Sequence, residues 1–245
     1  MRLSIVIPAF NEESRIGPTL EKVLEFVATR EGGAEVIVVD DGSGDRTAAT
    51  VDPFRERGVI LLRLPGNRGK GAAVRAGVTA SRGDTVLLSD ADLSTPIAEL
   101  ARLEPHLSAA PLVFGSRGLD DSRVVRHQPW YRQAMGRGFN LIIRALGVGG
   151  LSDTQCGFKL FDGKVARELF AEMTVDGFAF DVELVLRARQ RGHAIAEVGV
   201  EWANADGSRV HPVWSSLGML RDVVRLRWRL AARGRPEPST ERGGA

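Results

Sequence analysis

The sequence predicts an α/β protein with a largely parallel sheet covered by helices on both faces. Three observations carry that prediction. Short apolar runs rich in β-branched residues recur at "LSIVIP" (3–8), "EVIVVD" (35–40), "VILLRL" (59–64), "TVLLSD" (85–90) and "PLVFGS" (111–116). Continuous apolar runs of this length mark strands buried on both faces. The stretches between them, 14–30, 45–57, 70–81 and 96–108, carry helical periodicity. The third observation is chain length: 245 residues with 43% hydrophobic residues suffice for one large core.

Each helix start has a local cause. "EESRI" opens the first, "SGDRT" places Asp45 at the start of the second, and "STPIAEL" offers a Ser/Thr cap with Pro96 in the first turn. The glycine-rich "PGNRGKGAA" (65–73) opens the third helix, a natural place for backbone N–H groups and Lys70 to meet a phosphate. It is not a P-loop, because Lys70 is followed by Gly71 and not by Ser or Thr.

Beyond the sheet, "VWSSLGMLRDVVRLRWRLAAR" (213–233) places Arg221, Arg225 and Arg229 at four-residue spacing beside a stripe of Trp214, Leu217, Leu220, Val224 and Trp228. It reads as an amphipathic basic helix, either lying on an anionic membrane or packed on the domain with a solvated basic face. The division that follows is a main domain over 1–212, this helix over 213–233, and a disordered tail over 234–245.

Composition removes several function classes. A net charge of +2 with a pI near 9.0 is too mild to indicate nucleic acid. The single cysteine, Cys156, excludes an internal disulfide and a multi-cysteine metal site, and reads as a small buried residue. There is no apolar run of the roughly 18 residues that span a bilayer. The expectation is a cytoplasmic protein whose membrane contact, if made, is peripheral.

The carboxyl ends of the strands carry the chemistry, where ligands of open α/β sheets bind. Asp40, Asp90 and Arg117 fall just past strand ends and should line one rim. Asp90 and Asp92 in "LLSDADLS" are like charges two positions apart, on one face if the strand continues, so a positive charge should sit beside them. Such a carboxylate pair offers hard oxygens suited to Mg²⁺ or Mn²⁺. The plainer readings are that Asp92 caps the following helix and that Asp90 pairs with a nearby arginine. In "VVDDGSGDRT" (38–47) Asp40 can accept hydrogen bonds from a base or ribose, whereas Asp41 and Ser43 suit a turn and a helix cap.

Taken together, "VIPAFNEE" (6–13), "VVDDGSGDRT" (38–47), "NRGKGAAVRAG" (67–77), "LLSDADLSTP" (87–96), "GSR" (115–117), "YRQAMGRGFN" (131–140), "DTQCGFKLF" (153–161) and "DGFAFDVELVLRARQRG" (176–192) resemble the family-2 glycosyltransferases of GT-A fold. The resemblance covers about 1–230 and is to the dolichyl-phosphate glucosyl- and mannosyltransferase branch, "DTQCGFKLF" with "DADLSTP" lying closer to the glucosyl members. It implies a nucleotide-sugar fold, a Mg²⁺ or Mn²⁺ cofactor at Asp90 and Asp92, and a nucleotide-sugar site formed by Pro8, Phe10, Glu12, Val38, Asp40, Lys70, Asp90, Ala91 and Arg209. Arg132, Arg137 and Lys159 are candidates for an acceptor phosphate, and Asp92, Arg117 and Asp181 for catalysis. The implied reaction is inverting transfer of a hexose, glucose from UDP-glucose first of all, onto polyprenyl phosphate. The alternatives are a soluble hydroxyl or phosphate acceptor, GDP-mannose as donor, or an idle nucleotide-binding module. Asp181 and Glu183 keep the acceptor open: one could be a base for a hydroxyl, or both could be acids favoured at a helix start.

Overall fold

The computed structural model describes residues 2–126, 149–204 and 226. Seven strands form the main sheet: β1 (Leu3–Ala9), β2 (Ala34–Asp40), β3 (Val59–Arg63), β4 (Thr85–Leu88), β5 (Leu112–Ser116), β7 (Lys159–Asp162) and β8 (Ile195–Gly199). Their order is β3-β2-β1-β4-β7-β5-β8. All run parallel except β7, which is antiparallel to both β4 and β5. The carboxyl ends of β1, β2, β4 and β5 therefore share one edge with the first residue of β7. A separate two-stranded parallel ribbon pairs β6 (Arg123–Arg126) with β9 (Glu201–Ala203).

Alternation along the strands divides the apolar side chains between two layers. Val6, Ile37, Val39, Leu88, Phe114 and Phe161 face α3 (Lys70–Ala80), α5 (Gly163–Glu172) and α6 (Phe180–Gln190). Ile5, Ile7, Val36, Val38, Leu87 and Leu160 face α1 (Ile16–Ala28) and the Ile97–Leu103 turns. Phe161 packs edge-on between Phe114 and Phe170, with ring centroids 6.3 and 5.9 Å away. Leu226 is helical and buried in the first layer, so the chain beyond the sheet meets the core at that point.

Several boundaries differ from the sequence reading. The second helix is a short α2 (Thr47–Val51) continued as 3-10 turns over Asp52–Arg57, and the fourth is a four-residue α4 (Leu100–Leu103) between 3-10 turns. Pro53 and Pro105 stand in the first turns of the 3-10 segments, where a missing N–H interrupts the α ladder. Pro96 precedes the fourth helix in extended conformation, and no side chain caps that start. The amphipathic helix and tail expected over 213–245 lie outside the described residues, Leu226 excepted.

Candidate active site

Five elements deliver charge to the shared edge. Asp40 ends β2, Asp90 follows β4 by two residues, Arg117 follows β5 directly, Lys159 begins β7, and Lys70 begins α3. Asp181 joins them from the first turn of α6. Asp40, Asp90 and Arg117 thus line one rim, as their positions after strands require.

The positive charge expected beside Asp90 is Lys70, whose Nζ donates to Asp90 Oδ1 at 2.6 Å. Burial alone would raise the Asp90 carboxyl, but Lys70, with Lys159 and Arg117 behind it, holds it below the usual range. Burial likewise disfavours the Lys70 ammonium, and Asp90, Asp181 and Asp92 outweigh that and raise it. Asp90 and Asp92 do not share a strand face, because β4 stops at Leu88. They sit in a turn that brings Leu93 to φ 45°. Asp92 accepts from the Ser94 N–H at 3.0 Å, and the Ala91 carbonyl accepts from Thr19 Oγ1 at 2.7 Å, tying the turn to α1. Gly157 makes room for Asp90, since a Cβ there would overlap its carboxylate.

Lys159 is wholly buried and its Nζ lies 2.5 Å from Asp181 Oδ1, between the rings of Phe114 and Phe180. The sequence makes Lys159 a candidate for an acceptor phosphate; a lysine this deep needs a counter-charge, and in this structure Asp181 is that counter-charge. Burial raises the Asp181 carboxyl, an effect that Lys159 and Lys70 only partly offset. Glu183 is buried and receives the Thr174 and Val175 N–H groups and Arg187.

Arg117 is clamped. Its Nε and Nη2 donate to the two Asp153 oxygens at 2.6 and 2.9 Å, and its N–H to Asp153 at 3.1 Å. The guanidinium also lies 5.4 Å from the Trp202 ring centroid. Burial pushes the Asp153 carboxyl up, but Arg117 overrides it and holds the group below the ordinary range. Glu197 accepts from the Ser152 and Asp153 N–H groups at 2.7 and 2.8 Å, fixing the turn that presents Asp153. Cys156, behind this turn, is buried, as its residue type suggests.

The glycine-rich loop is built differently from a phosphate cradle. Asp41, read from sequence as a turn residue, accepts the N–H groups of Arg68 and Gly69 at 2.9 and 2.8 Å. The Ala72 N–H goes to the Asp176 carbonyl. Gly69 has φ 108°, and a Cβ there would lie 2.5 Å from that same carbonyl. Close backbone approach therefore demands this glycine, and three loop donors are already spent.

At the ends of β1 and β2, where the resemblance places the nucleoside, Phe10 is exposed beyond β1. Asp40 is buried, accepts from the Ser43 N–H at 3.0 Å and lies 3.6 Å from Arg63 Nε. Pro8 and Val38 are buried within β1 and β2, and Glu12 is paired with Arg15. Arg132, Arg137 and Arg209 lie outside the described residues. Asp41, Asp153, Gly157, Glu197 and Trp202 carry parts of the site that sequence reading did not assign. For Asp153 and Gly157 the signal was present in the "DTQCGFKLF" motif.

Among the described residues no three His, Cys, Asp or Glu side chains cluster as metal ligands. Asp90 and Asp92 suit a hard divalent ion that draws its other ligands from water and phosphate. Beside them Ser89, Ser94, Thr95, Gly157 and Trp202 line a small pocket, and the Ser89 hydroxyl is buried with no partner among the described groups.

Residues 4–170 match the model of glycosyl transferase family 2. The dolichyl-phosphate beta-glucosyltransferase of Dictyostelium discoideum is 38% identical over 242 residues, covering 93% of this chain and 74% of that one. The Homo sapiens protein of the same name is 35% identical, covering 93% and 75%. Glucosyl-3-phosphoglycerate synthase from Mycobacterium tuberculosis, solved with Mn²⁺ and UDP-glucose, shares the fold at a TM-score of 0.65 and 19% identity, covering 92% of this chain and 78% of that one. The chain belongs to glycosyl transferase family 2 and has the GT-A fold.

Proposed function

We propose that this family-2 enzyme transfers glucose from UDP-glucose to the phosphate of a polyprenyl lipid, inverting the anomeric centre. The named activity of its relatives supports the sugar and the acceptor class. The observation that carries the reading within the structure is the pairing of Asp181 with buried Lys159. Of the two carboxylates near the expected base position, Asp181 faces the fixed Lys159 ammonium and Glu183 is held by two backbone N–H groups and Arg187, so neither is presented openly to an acceptor hydroxyl.

A phosphate acceptor needs no such proton transfer. Its second pKa lies near about 6, so it is already an anion at neutral pH. One of its oxygens attacks C1 of the sugar, the bond from C1 to the diphosphate oxygen breaks, and UDP leaves with the electron pair. An in-line displacement on an α-linked donor gives a β-linked product.

What such a reaction demands is stabilisation of the departing diphosphate and of two phosphorylated partners held together. Asp90 and Asp92 would hold Mg²⁺ or Mn²⁺, which would neutralise diphosphate charge. Arg117 is the catalytic cation: clamped by Asp153, it offers its remaining donors in a fixed direction with little reorganisation. Phe10 offers a face for the base, Asp40 its carboxylate, and Lys70 a mobile charge for the diphosphate. The test is to incubate the protein with Mn²⁺ or Mg²⁺, labelled UDP-glucose or GDP-mannose, and a short-chain polyprenyl phosphate, then to count label in the organic phase. The expectation is glucose label that EDTA abolishes. Label that stays aqueous with a soluble acceptor, or that moves only from GDP-mannose, would replace this reading.

A further inference from the structure

Two lysines at the rim are held in opposite ways. The Lys159 and Asp181 side chains are 0% and 7% exposed, a closed pair. Those of Lys70 and Asp90 are 22% and 34% exposed, a pair that faces the opening. Lys70 also stands at the first position of α3 on a flexible four-carbon stem. Arg117, by contrast, is fixed through three hydrogen bonds to Asp153. Of the cations described here, Lys70 alone combines a mobile stem, solvent access and a direct bond to a candidate metal ligand.

We infer that Lys70 holds Asp90 against divalent metals until the donor's diphosphate draws its ammonium away, so that metal and nucleotide sugar load together. The inference rests on the nucleotide-sugar reading and adds an order of events to it. Charge arithmetic supports it. Lys70, Lys159 and Arg117 face Asp90, Asp92, Asp153 and Asp181, three positive against four negative charges. The single surplus negative charge is poor compensation for a doubly charged ion that must also displace an ammonium from Asp90. A nucleoside diphosphate brings both the missing negative charge and a competing partner for Lys70. The Lys70 ammonium and a divalent ion, which would repel each other at Asp90, would then both be compensated by the charge of one diphosphate.

The experiment is Mn²⁺ binding to the full chain, followed by the paramagnetic resonance signal of free Mn²⁺, with and without UDP. In the parent protein Mn²⁺ alone should bind weakly, and saturating UDP should tighten it at least about 30-fold, within the usual range of coupling between sites. In Lys70→Gln, and independently in Lys70→Met, Mn²⁺ alone should bind about 10-fold tighter than in the parent, and UDP should add less than about 5-fold. Lys70 variants with the parent's Mn²⁺ affinity and the parent's UDP gain would overturn the inference while leaving the donor reading intact. A parent protein that takes up no Mn²⁺ even with UDP would overturn both.

Discussion

The two ends of the sheet solve the problem of buried polar groups differently. At the amino end, Glu35 is buried and accepts from Ser4 Oγ at 2.5 Å and from the Arg82 N–H at 2.6 Å, while Ser4 Oγ accepts from the Gly83 N–H at 2.8 Å. Asp162 caps α5 through the Val165 N–H, and Arg167 donates to the Gly83 carbonyl. Carboxylates there are satisfied chiefly by hydroxyls and backbone. At the carboxyl end Asp90, Asp153 and Asp181 are each matched to a cation from another segment. Ion pairs drawn out of water, fully at Lys159–Asp181 and partly at Arg117–Asp153 and Lys70–Asp90, contribute little net stability because desolvation offsets attraction, so three of them at one end mark that end for function. The amino end is the part that holds the chain together.

Substitutions at the two ends should therefore separate activity from stability. The largest effect belongs to Asp92→Asn, for which we expect kcat to fall about 10²–10³-fold or more with the melting temperature near that of the parent. Substantial turnover in that variant would remove Asp92 from the site. Next come two matched glycine changes. Gly157→Ala forces a Cβ into the Asp90 carboxylate and should cost about 10²-fold in kcat. Gly83→Ala places a Cβ 2.6 Å from Ser4 Oγ and 2.7 Å from the Ser4 nitrogen. It should lower stability by about 1–3 kcal/mol while activity per folded molecule is kept. If the two variants exchanged phenotypes, the contrast between the ends would be wrong.

Asp153→Asn should reduce kcat about 10-fold or more as Arg117 loses its charged brace. It should also change the acid limb of stability. Asp153 titrates below its unfolded value, so its contribution is fully present above the unfolded value and is lost as pH falls through the folded one. The stability gap between parent and variant in urea melts should accordingly close on acidification; a gap that does not change with pH would mean that the ionised Asp153 is not what stabilises the parent. The smallest effect is Glu35→Gln, worth about 1–2 kcal/mol of stability with kcat unchanged.

The first half of the chain was legible because its strands are long, apolar and β-branched, and because they pair in parallel with crossover helices between them. The second half was not. Strand β7 is only four residues, "KLFD", and it inserts antiparallel between β4 and β5, so neighbours in space are far apart in sequence. The rim positions of Asp40, Asp90 and Arg117 followed from strand ends alone. The engagements of Lys70 and Lys159 did not, because their partners Asp90 and Asp181 come from other segments of the chain. Gly69 shows the same limit. A glycine before a helix suggests a phosphate loop, whereas the atom that demands it is the Asp176 carbonyl, more than 100 residues away.

The central claim is that the carboxyl end spends its charge on phosphates and contains no required base. Asp181→Asn alone leaves Lys159 buried without its counter-charge, at about 3–5 kcal/mol, so the double variant Asp181→Asn with Lys159→Met is measured beside it. The measurement is the single-turnover rate of glucose transfer from UDP-glucose to a short-chain polyprenyl phosphate, on protein that still binds Mn²⁺ with UDP. A rate within about 10-fold of the parent is the predicted result. A loss of about 10³-fold, the size expected when a general base is removed, would contradict it.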